Sequence, residues 1–278
     1  MRTIKIVADS SCDIFTLKDV EFDCAPMKII TDEREFIDNA SLDADDMVNY
    51  LYQYKGKSKS SCPNTTDWID AFGGADDIFC VTITSGLSGS YNSAYAAKQI
   101  YESENEGKRV HVFDTLSAGP EVLLVIEKIR ECVKNSMAYE DICDTVDKYM
   151  KKTGLVFMLK SLKNFANNGR VSPIVAKLVG IAGICIVGKA SSAGTLEPMH
   201  KCRGERNSLK TLVDDIEAEG FRSGKISIGH CQNQSAAEQL KELISEKYKN
   251  AQIEIHKLRG LCSFYAEKGG VLVGFEKA

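Results

Sequence analysis

Two clusters of hydroxyl-bearing residues could do chemistry. One is Ser85, Ser88 and Ser90 with Gly86 and Gly89 in "VTITSGLSGSYNSAY" (81–95); the other is Ser58, Lys59, Ser60 and Ser61 in "SKSSCPNTTDWIDAF" (58–72). The first follows a run of alternating β-branched residues and leads into an alanine-rich stretch. It therefore sits between the end of a strand and the start of a helix. Helix capping accounts for one serine there, with glycine for the turn. It does not account for three, nor for a second cluster opening another helix. Two such loops facing one another would make a pocket of neutral hydroxyl and backbone N–H donors. That pocket suits a carboxylate, because donors to the charged form stabilise it without the desolvation cost of burying a partner cation. The competing reading is an enzyme that uses the 85–90 loop, at a helix N-terminus, as an anion hole for phosphoryl or acyl transfer.

Other chemistries lack their residues. No G-x-G-x-x-G follows the first strand and no G-x-x-x-x-G-K-[ST] occurs anywhere. A serine-hydrolase elbow needs G-x-S-x-G, whereas Gly86-Leu87-Ser88-Gly89-Ser90 has Ser in place of the second Gly, and none of the four histidines (111, 200, 230 and 256) sits in a recognisable motif. The ten cysteines form no C-x-x-C, so they read as small core hydrophobes in a reducing cytosol, and neither a metal nor a cofactor is expected. Thirty-five basic against 39 acidic residues give a net charge of −4, which asks for no nucleic acid and no anionic surface. No window of 18 apolar residues predicts an integral membrane segment. The opening "MRTIKIVADSS" reads as a strand and loop rather than a signal peptide, so a cytoplasmic location is expected.

The elements that position the clusters follow from periodicity. Strands are expected at 3–9, 77–84 and 108–115, further strands within 20–38 around the turn "TDE", and helices at 41–55, 90–103, 118–132 and 139–152. Thr65 or Thr66 is expected to cap the helix carrying Trp68 and Phe72, after a polar loop from Ser58. This alternation predicts a parallel, Rossmann-like α/β/α domain over 1–153, whose ligand lies beyond the carboxyl ends of the strands. After that the pattern changes: a strand at 154–159, a short helix at 161–169 and an apolar helix at 172–185. A hairpin at 185–202 follows, then helices at 206–220 and 235–248 among strands at 225–230, 252–258 and 269–276. This predicts a C-terminal α/β domain over 154–278 with a largely antiparallel sheet. The fold class is therefore α/β with two domains, and the cleft between them is the expected ligand site.

These residues also resemble a known family, the DegV family of bacterial fatty-acid-binding proteins. "VADSSCDI" (7–14) is similar to its D-S-[ST]-x-D-[LI] loop, "SSCPN" (60–64) to its T-S-Q-P-[ST], and "ITSGLSGSYNSA" (83–94) to its S-S-x-L-S-G-T-Y-x-S-A. "VFDTLSAGP" (112–120) and "LKNFANNGRVS" (162–172) match two further motifs in order. The resemblance implies one long-chain fatty acid held between two domains, its carboxylate on hydroxyls of the second and third motifs. Carried over by position, these are Ser60 and a serine of the 85–89 segment, with Ser85 and Ser88 both open. Ser61 and the backbone N–H groups of Gly89 and Ser90 would be neighbours. The resemblance also implies a carrier that does no chemistry alone and presents its acid to a separate fatty acid kinase, which makes an acyl phosphate for phospholipid synthesis.

Many members carry a T-H-x-G-P-G motif whose His lies beside the carboxylate. Here the comparable stretch is "RGLCSFYAEKGGVLVGF" (259–275), and Tyr265 falls near that His. A phenol donates a hydrogen bond but is neither a base nor a cation at neutral pH. Arg170 in "NNGRVS" matches a family Arg and is expected at the cleft mouth near the head group. The apolar helix at 172–185, with Gly180 and Gly183, fits either a tail channel or plain core.

Overall fold

The computed structural model of the protein describes residues 2–172, 175 and 183–278. The N-terminal part runs β1 (Ile4–Asp9), β2 (Glu21–Ala25), β3 (Lys28–Ile30), β4 (Glu35–Ile37), α1 (Ala44–Gln53), β5 (Lys59–Ser61), α2 (Thr65–Phe72), β6 (Asp77–Thr82), α3 (Ser90–Glu104), β7 (Arg109–Asp114), α4 (Pro120–Lys134) and α5 (Tyr139–Met150). The C-terminal part runs β8 (Thr153–Leu159), α6 (Lys163–Asn167), β9 (Ile184–Ala190), β10 (Leu196–Arg203), α7 (Glu205–Ala218), β11 (Gly224–His230), α8 (Gln234–Lys247), β12 (Ala251–Lys257), α9 (Gly260–Ala266) and β13 (Val271–Glu276).

The expected parallel sheet is present in the order β2-β1-β6-β7. Both of its faces are covered, as runs such as "IKIVAD" and "DIFCVT", apolar on both faces at their centres, require. Ile6, Ala8, Phe79, Val81 and Phe113 turn to α4 and α5, while Val7, Ile78 and Cys80 turn to Trp68 and Phe72 of α2 and to Ala94 and Ala97 of α3. The second sheet, ordered β10-β9-β8-β13-β11-β12, is antiparallel except for the β11–β12 pair. One of its faces packs on α7 and α8 through Leu209, Leu212, Ile216, Ala237, Leu240 and Ile244. The other, carrying Leu155, Phe157 and Leu159, looks toward the N-terminal part.

Three details depart from expectation. Asn64, not Thr65 or Thr66, caps α2: its Oδ1 accepts from Asp67 N (3.0 Å) while Asp67 Oδ2 accepts from Asn64 N (2.8 Å), a reciprocal capping box. The 58–61 segment is a short strand rather than a loop; β5 pairs with β3 in a small sheet ordered β4-β3-β5. The stretch after Arg259 forms α9, which was not expected as a helix.

Two distant carboxylates anchor α9. Gly260 N and Leu261 N donate to Asp38 (2.9 and 2.8 Å), and Arg259 N donates to Asp13 Oδ1 (2.6 Å). Both acids are buried, and desolvation outweighs these backbone bonds. It pushes Asp38 up to about 6 and Asp13, which also feels the Asp38 charge, up to about 8. A carboxyl raised in the fold binds its proton more tightly there than in the unfolded chain, so its ionisation costs stability as pH rises from about 4 to about 8. The stability of Asp13→Asn relative to the parent should therefore grow by more than about 1.4 kcal/mol, the worth of one pKa unit, between about pH 5 and about pH 8.5. Urea unfolding of both proteins at the two pH values checks this; a difference that does not change with pH contradicts it.

Candidate functional site

The loops that follow β6 and β7 leave the same carboxyl edge of the parallel sheet and face β8, β9 and β13 of the second sheet. Between them lies a cavity of about 300 Å³. Met27, Ile83, Leu87 and Leu261 form one apolar wall; Leu155, Phe157, Leu159, Leu196 and Leu272 form the other. The turn of the β9–β10 hairpin closes one side. Thr84 Oγ1 donates to Gly194 O (2.9 Å), and Gly194, at φ +69°, leaves no room for a Cβ against Thr84.

Of the expected site residues, Ser60, Ser61, Ser88, Gly89, Tyr265 and Arg170 line this cavity. Ser60 Oγ and Tyr265 Oη are 2.7 Å apart, which joins the second sequence cluster to α9. Burial raises the Tyr265 phenol above its ordinary value, against the Ser60 hydrogen bond and the Arg170 charge, so at neutral pH it is an uncharged donor. Ser61 is exposed, and its hydroxyl reaches Cys62 O (3.3 Å). Arg170 is placed by the end of α6. Gly169 takes φ +65°, which suits glycine, and Arg170 N returns to Phe165 O (2.9 Å). Asn168 ties that turn to β5, accepting from Ser60 N (3.2 Å) and donating to Ser58 O (3.2 Å).

Ser85 and Ser90 are placed elsewhere. Ser85 is exposed and its N–H donates to Asp114 (3.0 Å). Ser90 is fully buried and donates through Oγ to Asp9 Oδ2 (2.6 Å). Its backbone N–H is also engaged, by Ser88 Oγ (3.2 Å). The expected channel helix at 172–185 falls mostly outside the described residues, Gly180 included; Gly183 is described, at φ +75°.

Asp9 was not singled out as a site residue, yet it shapes the 83–90 loop. Its carboxyl is completely buried and accepts from Ile83 N (2.9 Å), Ser90 Oγ, Ser11 N (3.2 Å) and Ser11 Oγ (2.5 Å). Burial raises its pKa despite these donors. The signal lay in "VADSS": an Asp that ends a strand whose preceding residues, Lys5 apart, are apolar is buried with that strand. Ser117, at the cavity surface after β7, was also missed, because its segment carries no hydroxyl cluster.

Ser60 and Tyr265 meet at the cavity surface and Ser88 also lines it, all without charge, and the one cation there that keeps no carboxylate partner among the described residues is the exposed Arg170. Lys189 also borders the cavity, but it pairs across from Val156 on the other face and its Nζ binds Glu219 (2.7 Å). Fold and site together define a two-domain α/β protein that encloses a largely apolar cavity bordered by uncharged hydroxyls. Comparison with known proteins places it more closely: the family model described as "Uncharacterised protein, DegV family" matches residues 3–278. The chain belongs to the DegV family. A DegV domain-containing protein of Streptococcus gordonii is 42% identical over 278 residues, 99% of each chain. Among solved structures, a DegV family protein from Eubacterium eligens loaded with heptadecanoic acid is 40% identical with a TM-score of 0.97, covering 99% of this chain and 100% of that one. The Streptococcus pneumoniae Fatty Acid Kinase (Fak) B3 protein loaded with linoleic acid is 41% identical over the same shares, also with a TM-score of 0.97.

Proposed function

We propose that this protein binds one long-chain fatty acid in the cavity and presents it to a fatty acid kinase, doing no covalent chemistry itself. The observation that carries this reading is the cavity: apolar along two walls and bordered by the uncharged hydroxyls of Ser60, Ser88 and Tyr265. The Eubacterium eligens and Streptococcus pneumoniae proteins, alike over their full length, hold fatty acids, and the second bears the name of a kinase component. An acyl chain of roughly 14 methylenes at about 0.8 kcal/mol each gains on the order of 11 kcal/mol on burial before the costs of binding. The tail thus supplies most of the affinity. The head-group donors are Ser60, Ser88, the Gly89 N–H and Tyr265, with Arg170 at the mouth and Ser61 beside it. The division between the domains is placed near 153/154, where α5 has ended and β8 begins, and the protein acts in the cytoplasm, a reading that ten free cysteines support.

The enzyme reading needs an activated nucleophile or a held phosphate. Among the described residues the Ser88 hydroxyl meets only the Ser90 N–H, so no base activates it. Calorimetric titration of delipidated protein with oleic acid and with oleyl alcohol tests the assignment. One acid per chain should bind, and the alcohol at least about tenfold more weakly, roughly 1.4 kcal/mol. Equal affinities contradict the head-group site, and no binding contradicts the whole reading. In the same titration Tyr265→His should leave acid affinity within about tenfold, since either side chain can donate one hydrogen bond to the carboxylate. A larger change contradicts an interchangeable role.

A further inference from the structure

Ser60 stands on a strand with little of its own to fix it. β5 is Lys59–Ser61, three polar residues at the edge of their sheet, and among the described residues β3 is its one strand neighbour. On the free side of β5 the side-chain amide of Asn168 does what a further strand would do. Its Oδ1 accepts from Ser60 N (3.2 Å) and its Nδ2 donates to Ser58 O (3.2 Å). These two backbone groups flank Lys59, and they are the pair that one residue of a parallel strand would bond. Nδ2 also donates to Asn164 O (2.8 Å) in α6, so both amide protons and the amide oxygen are engaged.

The helix that carries Asn168 also holds the other half of the head-group pair. Asn164 Nδ2 donates to Phe264 O (2.7 Å) and Asn164 N donates to Glu267 Oε1 (3.0 Å), while Phe165 packs on Tyr265 with ring centroids 4.7 Å apart. The end of α6 thus grips β5 through Asn168, and its first turn grips α9. The Ser60 and Tyr265 hydroxyls meet between the two grips. Asn168 itself does not border the cavity. Nor does its side chain shape the turn that presents Arg170, which closes through backbone bonds from Gly169 N to Ala166 O (3.1 Å) and from Arg170 N to Phe165 O.

We infer that Asn168 is a positioning residue: standing in for a missing strand, it holds Ser60 where its hydroxyl serves a carboxylate, and so sets the preference for an acid over an alcohol without touching the ligand. This rests on the fatty-acid reading above. Without the amide, Ser60 N and Ser58 O must turn to water, and β5 loosens at the residue that carries the hydroxyl. A hydrogen bond to a charged group is strong but weakens steeply as its donor is misaligned. Burial of the tail is non-directional and does not depend on that alignment.

The test is calorimetric titration of delipidated parent, Asn168→Ala, Ser60→Ala and the double variant with oleic acid and with oleyl alcohol. Asn168→Ala should weaken the acid about tenfold, ~1.4 kcal/mol, and leave the alcohol within about threefold. In the Ser60→Ala background the same substitution should change acid affinity by less than about twofold, because the group it positions is gone. A merely structural role would weaken acid and alcohol alike, or would add its full cost to that of Ser60→Ala. Either result overturns the inference, as does an unchanged acid affinity in Asn168→Ala. Should that variant fail to fold, hydrogen exchange of the Ser60 N–H in the unmodified protein decides. If the Asn168 bond favours acid binding, bound acid favours the Asn168 bond, so saturating oleic acid should slow this exchange at least about tenfold more than saturating oleyl alcohol. Equal slowing overturns the inference. If the unmodified protein binds no acid, the fatty-acid reading fails, which is a different result from acid binding that is indifferent to Asn168.

Discussion

Ser88→Ala should weaken binding of a long-chain fatty acid by about 10- to 100-fold, because a hydrogen bond to a charged group contributes roughly 1.5–3 kcal/mol. The same change should leave oleyl alcohol within about threefold, since an alcohol brings no carboxylate to the site. Ser85→Ala is the matched control. It lies in the same loop and carries the same hydroxyl, but it is exposed with its N–H on Asp114, away from the cavity surface. Its affinity should stay within about twofold, less than ~0.5 kcal/mol. Ser60→Ala should act like Ser88→Ala, with the added cost of leaving the part-buried Tyr265 hydroxyl without its 2.7 Å partner. Calorimetric titration separates these outcomes. If Ser85→Ala costs as much as Ser88→Ala, the head group lies elsewhere.

Ala190→Trp should abolish measurable binding of 16- and 18-carbon acids, a loss above about 100-fold, while leaving decanoic acid within about threefold. Ala190 ends β9 opposite Leu196, and both border the cavity. An indole there occupies space that three or four methylenes would fill. At about 0.8 kcal/mol each, their exclusion costs roughly 2.4–3.2 kcal/mol, before any strain from crowding the opposite wall. The residue is only half-buried and ends β9 beside the edge strand β10, so the fold should tolerate the change. A chain-length series of saturated acids reads the result. Uniform weakening of short and long acids would mean that Ala190 does not border the tail.

What the sequence made legible was what repeats along it. Continuous apolar strands separated by amphipathic helices announced the parallel sheet, and the 185–202 hairpin announced the second. The two hydroxyl clusters were legible because three serines exceed what capping needs. β5 was not, because three polar residues carry no period; it becomes a strand only by pairing with β3. α9 was not, because seven residues barely show a 3.6-residue repeat and its start is fixed by Asp13 and Asp38, more than two hundred residues away. That Ser88 and not Ser85 borders the cavity was not legible either, because it depends on the turn in which Leu87 N and Ser88 N both fold back on Thr84 O.

Native mass spectrometry of the protein as purified, with lipid extraction of the same sample, tests the central claim most directly. The account predicts a chain carrying one fatty acid, released on denaturation and identified in the extract, and rebound one to one when the delipidated protein is given oleic acid. A chain that carries no fatty acid as purified and takes up none when it is supplied would contradict it.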